Sequence, residues 1–348
     1  MSATNRHVVL VCLVGAVVAA AQTPLLPAEC WGYDYARWSL PSATDSRHEC
    51  GPAGWGALVR RCNATINATG GSTVPYAACG IGQTQSPIAV ARPLNGTGAA
   101  DDAALGPLGH ELDTLLRRNM PSLRAVHVRL PQRKELLLVA LPDADDAADH
   151  APRAVVDPVT RELRFFVGAA VRSPSEHTLD GAHAALELQF LFADSFDAAA
   201  AAARCWAALP SSNPQVAHVD ECAEQMPQRL AIAVLFHGGV FDSGATHGGV
   251  TQLESIVGAS LAVANASVHA DVSIGGAVAA AQMHKLLPLR RGYALYEGSA
   301  TRPPCGDDVR WIVFTHAAYV PLGALARLRA TLRLDDTPRR IVAESPWP

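Results

Sequence analysis

The sequence is poor in charged and in aromatic side chains, which make up 17% and 6% of its 348 positions. An intrinsically disordered chain is excluded, because hydrophobic residues make up 49% and supply ample material for a core. Lysine and arginine form no dense tract, and the 28 basic residues are outnumbered by 32 acidic ones. Nucleic acid is therefore excluded as an expected partner.

Several chemical motifs are missing as well. None of the 13 histidines occurs in H-x-H, in HExxH or beside C-x-x-C, the spacings that place two metal donors on one face of an element. There is no G-x-S-x-G elbow, no P-loop and no dinucleotide fingerprint. The local motifs therefore indicate no metal, nucleotide or serine-hydrolase chemistry.

The amino terminus has the features of a secretory signal peptide. Arg6 and His7 precede an uncharged apolar run of 14 residues, Val8–Ala21, with small residues at its end. This run is shorter than the roughly 20 residues that a membrane-spanning helix needs, so no membrane span is expected. We predict a signal peptide over 1–21 and a secreted or extracellular mature chain. Four sequons fit a secreted glycoprotein: Asn63, Asn67, Asn95 and Asn265.

The number of cysteines fits a protein that is exported to an oxidising compartment. Once the leader is removed seven cysteines remain, and an oxidising compartment would pair them: Cys30, Cys50, Cys62, Cys79, Cys205, Cys222 and Cys305. An odd number leaves a free thiol or a link to another chain, which allows a disulfide-linked dimer.

Strand-like runs dominate the middle and end of the chain, and each is bounded by Pro, Gly or Asp. They are residues 125–130, 135–141, 162–171, 184–193, 230–240 and 309–320. Helical patterns are few, chiefly 196–208 and 323–333. We predict one mixed, mainly β domain over 22–348. Two stretches are interpreted as insertions, the acidic 143–150 and the segment 196–228, which contains an alanine run and two cysteines.

Specific phrases then point to a family. They are "WGYDYARW" (31–38), "GPAGW" (51–55), "QSPIAV" (85–90), "SEHTLDG" (175–181), "ALELQFLF" (185–192), "LLPLRRGYALYEGSATRPPC" (286–305) and "VRWIVF" (309–314). Over about residues 30–345 the chain resembles the α-class carbonic anhydrases. The resemblance implies one compact domain around a central, mostly antiparallel ten-stranded sheet, with one zinc ion held by three histidines.

The resemblance also implies that this zinc site is lost. Counting back seven residues from Ser175 aligns the family's glycine with Gly168, which puts the first two ligand positions at Arg164 and Phe166. The third position falls on Gln189. Guanidinium and phenyl groups cannot donate to zinc, and a carboxamide is a poor donor, so we expect no metal and no cofactor. Changing all three residues to His is expected to restore some zinc affinity.

Residues around the lost metal match the family. Glu176 and Thr301 correspond to the pair that orients the zinc-bound hydroxide, and Glu187 to the carboxylate that holds the third histidine. We expect Arg164 to replace the zinc charge by pairing with Glu187, Glu176 or Gln189, because an unpaired buried carboxylate is costly. Arg302 adds a second cation at the pocket. A pocket that binds small anions through Arg164 and Arg302, with Gln189 at its floor, is therefore the alternative.

Two disulfides are expected. Cys79 with Cys305 matches the bridge of extracellular family members and would contribute about 4–5 kcal/mol in the chain-entropy model. Cys205 with Cys222 would pin the insertion 196–228. Cys50 with Cys62 is a weaker expectation.

Three functions remain open from the sequence. The first is a secreted, zinc-free carbonic anhydrase-related protein that binds an extracellular protein or glycan as a scaffold module. The second is an active zinc-dependent carbonate dehydratase with other ligands, for which His177 and His183 are the histidines near in sequence. The third is a metal-free esterase using Thr301 or a serine, for which the sequence offers no paired base.

Overall fold

The structure is a computed structural model. It describes residues 86–90, 111–116, 121–130, 133–141, 153–210, 216–224, 228–239, 272–274, 278–279, 283–288, 292–302, 305–326 and 343–344. The predicted signal peptide, the four sequons, the insertion 143–150 and the cysteines Cys30, Cys50, Cys62 and Cys79 lie outside these residues.

Strands dominate the described part of the chain. Their bounds are β1 Ile88–Val90, β2 Ser122–Leu130, β3 Arg133–Ala140, β4 Ala154–Val156, β5 Leu163–Arg172, β6 Thr178–Leu179, β7 Ala182–His183, β8 Leu186–Ala193, β9 Leu230–Gly239, β10 Val272–Ile274, β11 Val278–Ala279, β12 Tyr293–Gly298, β13 Val309–Phe314, β14 Ala318–Pro321 and β15 Ala343–Glu344. Each predicted run coincides with a strand, except that 309–320 divides into β13 and β14. The mainly β fold class is confirmed.

The strands form two sheets. The larger has the order β10-β2-β3-β5-β8-β9-β13-β12, with β11 beside β2, β14 beside β9 and β4 beside β5. Its ladders are antiparallel except where β13 and β14 pair with β9. Eleven described strands stand against the ten expected, because short pieces such as β4 pair beside the main path. The smaller sheet has the order β15-β1-β6-β7.

Helices are few and short among the described residues. They are α1 (111–116), α2 (Phe196–Ala208), α3 (Val216–Glu224), a 3₁₀ turn (Met283–Leu286) and α4 (322–326). The predicted helix 196–208 is confirmed as α2, which begins after Ser195, whose hydroxyl accepts a hydrogen bond from the Ala198 N–H at 3.2 Å. In the described part of the chain, no helix is long and apolar enough to cross a membrane.

Both faces of the larger sheet are covered, which makes β8 buried along its whole length. Because side chains alternate between faces, the core divides into two clusters. The phenylalanine face includes Phe166, Phe190 and Phe192. The tryptophan face includes Ala170 and Leu191 together with Trp206 of α2 and Trp311 of β13.

A bulge in β5 changes which residues share a face. Phe166 lies opposite Phe192, whereas Gly168 lies opposite Leu191, so one extra residue interrupts the ladder. A Cβ atom on Gly168 would lie 2.5 Å from the Leu138 carbonyl oxygen, which explains why glycine is needed there. The alternation of side chains between the two faces of the sheet is therefore shifted by one residue across the bulge.

Candidate functional site

A buried polar cluster lies on the tryptophan face, where the loop after β5 meets β8. Glu187 and Gln189 alternate along β8 and so share this face, because Leu188 and Phe190 belong to the opposite cluster. Glu176 and His177 come from the loop between β5 and β6. All four residues are at most 1% exposed. The expected proximity of Glu176, Glu187 and Gln189 is what the structure shows.

Glu187 anchors the loop through both of its carboxylate oxygens. Oε2 accepts hydrogen bonds from the backbone N–H groups of Glu176 and His177, at 2.8 and 2.9 Å. Oε1 accepts one from His177 Nδ1 at 2.7 Å. Burial alone would raise the pKa of this carboxyl, but the attraction of the His177 ring and these hydrogen bonds hold the pKa below its ordinary value.

Gln189 joins the two carboxyl groups. Its Nε2 donates to Glu176 Oε2 at 2.8 Å and to Glu187 Oε1 at 2.9 Å. An amide nitrogen has two hydrogens, so these two contacts use its full donor capacity. Directly across the ladder from Gln189 lies Ala170, whose methyl side chain brings no polar group to the cluster.

Arg172 supplies the positive charge of the cluster. It follows Ala170 by two residues on the same face and lies opposite Glu187 in the ladder. Its Nε lies 3.3 Å from Glu176 Oε1, and both side chains are buried. Burial raises the pKa of Glu176, and the nearby Glu187 adds to this effect, which together outweigh the lowering by Arg172. The Thr301 hydroxyl also acts to lower the pKa of Glu176, so the two residues of the predicted pair are close together.

A series of hydrogen bonds connects the buried cluster to Ser86, which lies just before β1 of the smaller sheet. His177 Nε2 bonds to the Tyr296 hydroxyl at 2.8 Å, and that hydroxyl donates to Ser86 Oγ at 2.9 Å. Ser86 in turn accepts from the Ser299 N–H at 3.1 Å. Gly298 is required beside it, because a Cβ atom there would collide with the Ser86 hydroxyl.

Arg164 and Phe166 do not join this cluster. Phe166 lies on the opposite, phenylalanine face, with its ring centroid 5.6 Å from that of Phe192. Arg164 lies two residues before Phe166 in the same strand, so it shares the face of Phe166 and not the face of Gln189. The expectation that Arg164 pairs with Glu187, Glu176 or Gln189 is therefore wrong.

Arg164 belongs instead to an ion-pair cluster at the turn between β4 and β5. Its Nη2 lies 2.7 Å from Glu162 Oε2, and its Nε lies 3.5 Å from Asp157 Oδ2. Asp157 Oδ2 also pairs with Arg310 Nη1 at 2.5 Å. Burial acts to raise the pKa of Asp157, but backbone hydrogen bonds from the turn and Arg310 keep it below the ordinary value.

The residues of the buried cluster do not fit a zinc ion. Zinc needs imidazole, thiolate or carboxylate donors that converge on one point. Here a guanidinium occupies the cluster, the Gln189 amide presents nitrogen to the two carboxylates, and Ala170 has no donor. Over the described ranges, no three His, Cys, Asp or Glu side chains are grouped so that they could hold a metal.

The two histidines of the alternative ligand set are engaged elsewhere. His177 uses both ring nitrogens, on Glu187 and Tyr296. His183 lies in β7, where its Nδ1 bonds to the Ser175 carbonyl oxygen at 2.7 Å. Arg302 is buried beside Thr301, with a partner of its own, and is not an open cation at a pocket mouth.

One predicted disulfide is present. Cys205 of α2 is bonded to Cys222 of α3, with their Cα atoms 5.5 Å apart. Cys305 is buried and disulfide-bonded as well. Its expected partner, Cys79, lies outside the described residues, so that pairing stays a prediction.

Sequence reasoning missed Arg172 and Tyr296. An arginine at the end of a largely apolar strand, three residues before Ser175, was a usable signal for Arg172, because a buried cation needs a nearby carboxylate. Tyr296 carried no such signal, since it is 119 positions from His177 and meets it only through the fold.

Residues 211–343 match the family model of eukaryotic-type carbonic anhydrases. Among solved structures, the chain is similar to an α-carbonic anhydrase from Thermovibrio ammonificans in complex with sulfanilamide, with 20% identity, 89% of this chain and 94% of that chain covered, and a TM-score of 0.47. It is similar to dioscorin complexed with ascorbate, with 19% identity, coverage of 85% and 91%, and a TM-score of 0.49. A fungal α-carbonic anhydrase from Aspergillus oryzae has 15% identity, coverage of 86% and 92%, and a TM-score of 0.49.

Over residues 211–343 the chain is similar to the eukaryotic-type carbonic anhydrases, the family that the sequence phrases indicate.

Proposed function

We propose that this protein is a secreted, zinc-free member of its family that acts as a non-catalytic binding or scaffold module for an extracellular protein or glycan. The observation that carries the proposal is the engagement of Gln189. Its amide nitrogen donates to both Glu176 and Glu187, so the two carboxyl groups expected around a metal are bridged by a hydrogen-bond donor of the chain itself.

The proposal includes a reassignment of two positions. In the family, two ligands alternate along one strand and the third lies on the next strand. Ala170 lies opposite Gln189, and Arg172 lies two residues further on the same face. These two residues therefore hold the positions that counting from Ser175 assigned to Phe166 and Arg164. The bulge at Gly168 accounts for the face on which those two residues lie.

Arg172 is proposed to take over the electrostatic role of the missing cation. The pocket retains two carboxyl groups, and removing a metal without replacement would leave them uncompensated at full burial. A guanidinium is permanently protonated and cannot coordinate zinc, so it stabilises Glu176 while blocking metal entry. An arginine at this position thus favours folding and opposes zinc-dependent catalysis.

Loss of the metal removes the chemistry of the reaction. Zinc supplies catalysis by lowering the pKa of a bound water to about 7, which generates the hydroxide that attacks carbon dioxide. Thr301 and Glu176 are close together, but in this chain they stabilise each other and Gln189. Their proximity supports a structural role for the pair.

Secretion and partner binding have weaker support. Two disulfide-bonded sites agree with an oxidising compartment, and the predicted signal peptide and sequons agree with export. The partner class follows from the proposed location and from the loss of catalysis, since a fold alone does not specify one.

The experiment is a stopped-flow assay of carbon dioxide hydration with the purified secreted protein. The proposal expects no rate above buffer and no effect of a sulfonamide. A measurable rate that a sulfonamide abolishes would instead establish the active carbonate dehydratase. A variant with Gln189 changed to Ala serves as the matched control, because a genuine activity at this site would respond to it and a contaminating enzyme would not.

A further inference from the structure

The paired helices α2 and α3 lie over the face of the sheet that carries the buried cluster. α2 packs on β5, β3 and β8, the strands that present Ala170 and its neighbours. Trp206 of α2 is fully buried and belongs to the same cluster of side chains as Ala170, Leu137 and Leu191. The tryptophan face of the sheet is therefore closed by a helix rather than open to solvent.

The attachment of α2 to the sheet is narrow. Only Ala202 and Trp206 are buried along its 13 residues, and they are one turn apart on one stripe of the helix. Most of the remaining residues are alanines that are exposed or half-buried. The carbonyl oxygen of Trp206 adds one polar contact, accepting from Arg124 Nη1 of β2 at 3.3 Å. Trp206 is the one large side chain that α2 buries fully. Ala198, Ala199 and Cys205 add smaller contacts with the same face, and the Phe196 ring packs edge to face on Phe165. These contacts are modest for a helix of this length, so we expect it to open locally before the sheet does.

The disulfide adds a second attachment. Cys205 immediately precedes Trp206, and its partner Cys222 lies in α3 beside Val219 and Ala223, which are also buried. The bond thus ties the residue next to the anchor to a helix with three buried residues of its own. Closing a loop of 17 residues limits how far α2 can depart from the sheet.

We propose that α2 and α3 form a disulfide-locked cover, which closes the tryptophan face above the buried cluster and opens as one local unit without unfolding the sheet. In the intact protein the cover is closed, and the Cys205–Cys222 bond sets how often it opens. The proposal is independent of whether the domain binds zinc, because it concerns the packing of the helices and not the ligand set.

Hydrogen exchange measured by mass spectrometry on the full chain tests the cover. In the wild type, amides of α2 are expected to exchange faster than those of β8 and β9. In a Cys205→Ala/Cys222→Ala variant the α2 rate is expected to rise roughly 100-fold, the effect of removing a loop closure of this length, with β8 and β9 unchanged. Trp206→Ala, with the disulfide intact, should also accelerate α2 selectively.

Two results would overturn the proposal. The first is equal exchange of α2 and β8 in the wild type, which would mean that the helix opens only with global unfolding. The wild-type measurement decides this even if the cysteine variant fails to fold. The second is an α2 rate that neither variant changes, which would show that neither the disulfide nor Trp206 holds the cover closed.

Discussion

Arg172 and Glu176, four residues apart in the sequence, form a buried ion pair, with Nε and Oε1 separated by 3.3 Å. The pair lies where β5 ends and the loop toward β6 begins, beside Gln189. It joins a fixed cation to a carboxyl group that burial disfavours in its charged form. Much of the behaviour that we predict for this protein follows from that relationship.

Replacing Arg172 by Met should destabilise the protein by about 3–5 kcal/mol at neutral pH, because it leaves Glu176 buried without its cation. The loss should shrink as the pH falls through the raised pKa of Glu176, because a protonated carboxyl needs no cation. Urea unfolding measures both effects. Arg164→Met is the matched control and should cost about 1 kcal/mol or less, because its partner Glu162 is exposed and its other partner, Asp157, keeps its ion pair with Arg310. Equal losses in the two variants would contradict the assignment of Arg172.

Combining Arg172→Met with Glu176→Gln should recover a large part of that loss. The amide is neutral, so it needs no cation, and its oxygen still accepts the hydrogen bond from Gln189. The coupling free energy from a double-mutant cycle should therefore exceed about 1 kcal/mol. Strictly additive losses would show that the two side chains do not interact.

The two carboxyl groups should act on stability in opposite pH ranges. The lowered pKa of Glu187 means that its contribution is present above pH 4.5, its value outside the fold, and is lost as the pH falls through the lowered pKa. The raised pKa of Glu176 means that its contribution is present below 4.5 and is lost as the pH rises through the raised pKa.

Single glutamine variants separate these two contributions. Glu187→Gln should cost about 3 kcal/mol at neutral pH, because four N–H groups lose a charged acceptor. The fall in unfolding free energy toward acid pH should also become smaller in this variant. Glu176→Gln should reduce the fall in unfolding free energy as the pH rises, and it should destabilise the protein less at high pH than at low pH. Stability curves that keep the wild-type shape in both variants would contradict the predicted directions.

The positions of the lost ligands can be tested by rebuilding them. Ala170→His, Arg172→His and Gln189→His together place three imidazoles on one face, so this triple variant should bind zinc, measured by isothermal titration. The matched control is Arg164→His, Phe166→His and Gln189→His, in which the bulge keeps Phe166 on the other face and binding should be absent. Zinc binding by the control alone would reverse the assignment.

Most of the strands were predictable from the sequence, because β8 and β9 are apolar runs bounded by turn residues. The convergence of Glu176, Glu187 and Gln189 was also predictable, since two of them alternate on one strand. The bulge before Gly168 was not, because it depends on the close approach of the Leu138 carbonyl oxygen from a neighbouring strand. That single extra residue is why Phe166, placed by counting, lies on the wrong face.

The disulfide at Cys305 provides a check on the compartment. Non-reducing peptide mapping of the secreted protein should join Cys305 to Cys79 and Cys205 to Cys222. The first pairing comes from the family resemblance, and the second from the structure. Recovery of Cys79 as a free thiol would contradict the first while leaving the second intact.

Zinc content tests the central claim most directly. The protein is secreted into zinc-containing medium, purified without chelators and analysed by elemental mass spectrometry against protein concentration. Because the Arg172 guanidinium lies beside Glu176 and the Gln189 amide donates to both carboxyl groups, the account predicts far less than one zinc per chain. One zinc per chain, retained through dialysis, would contradict it.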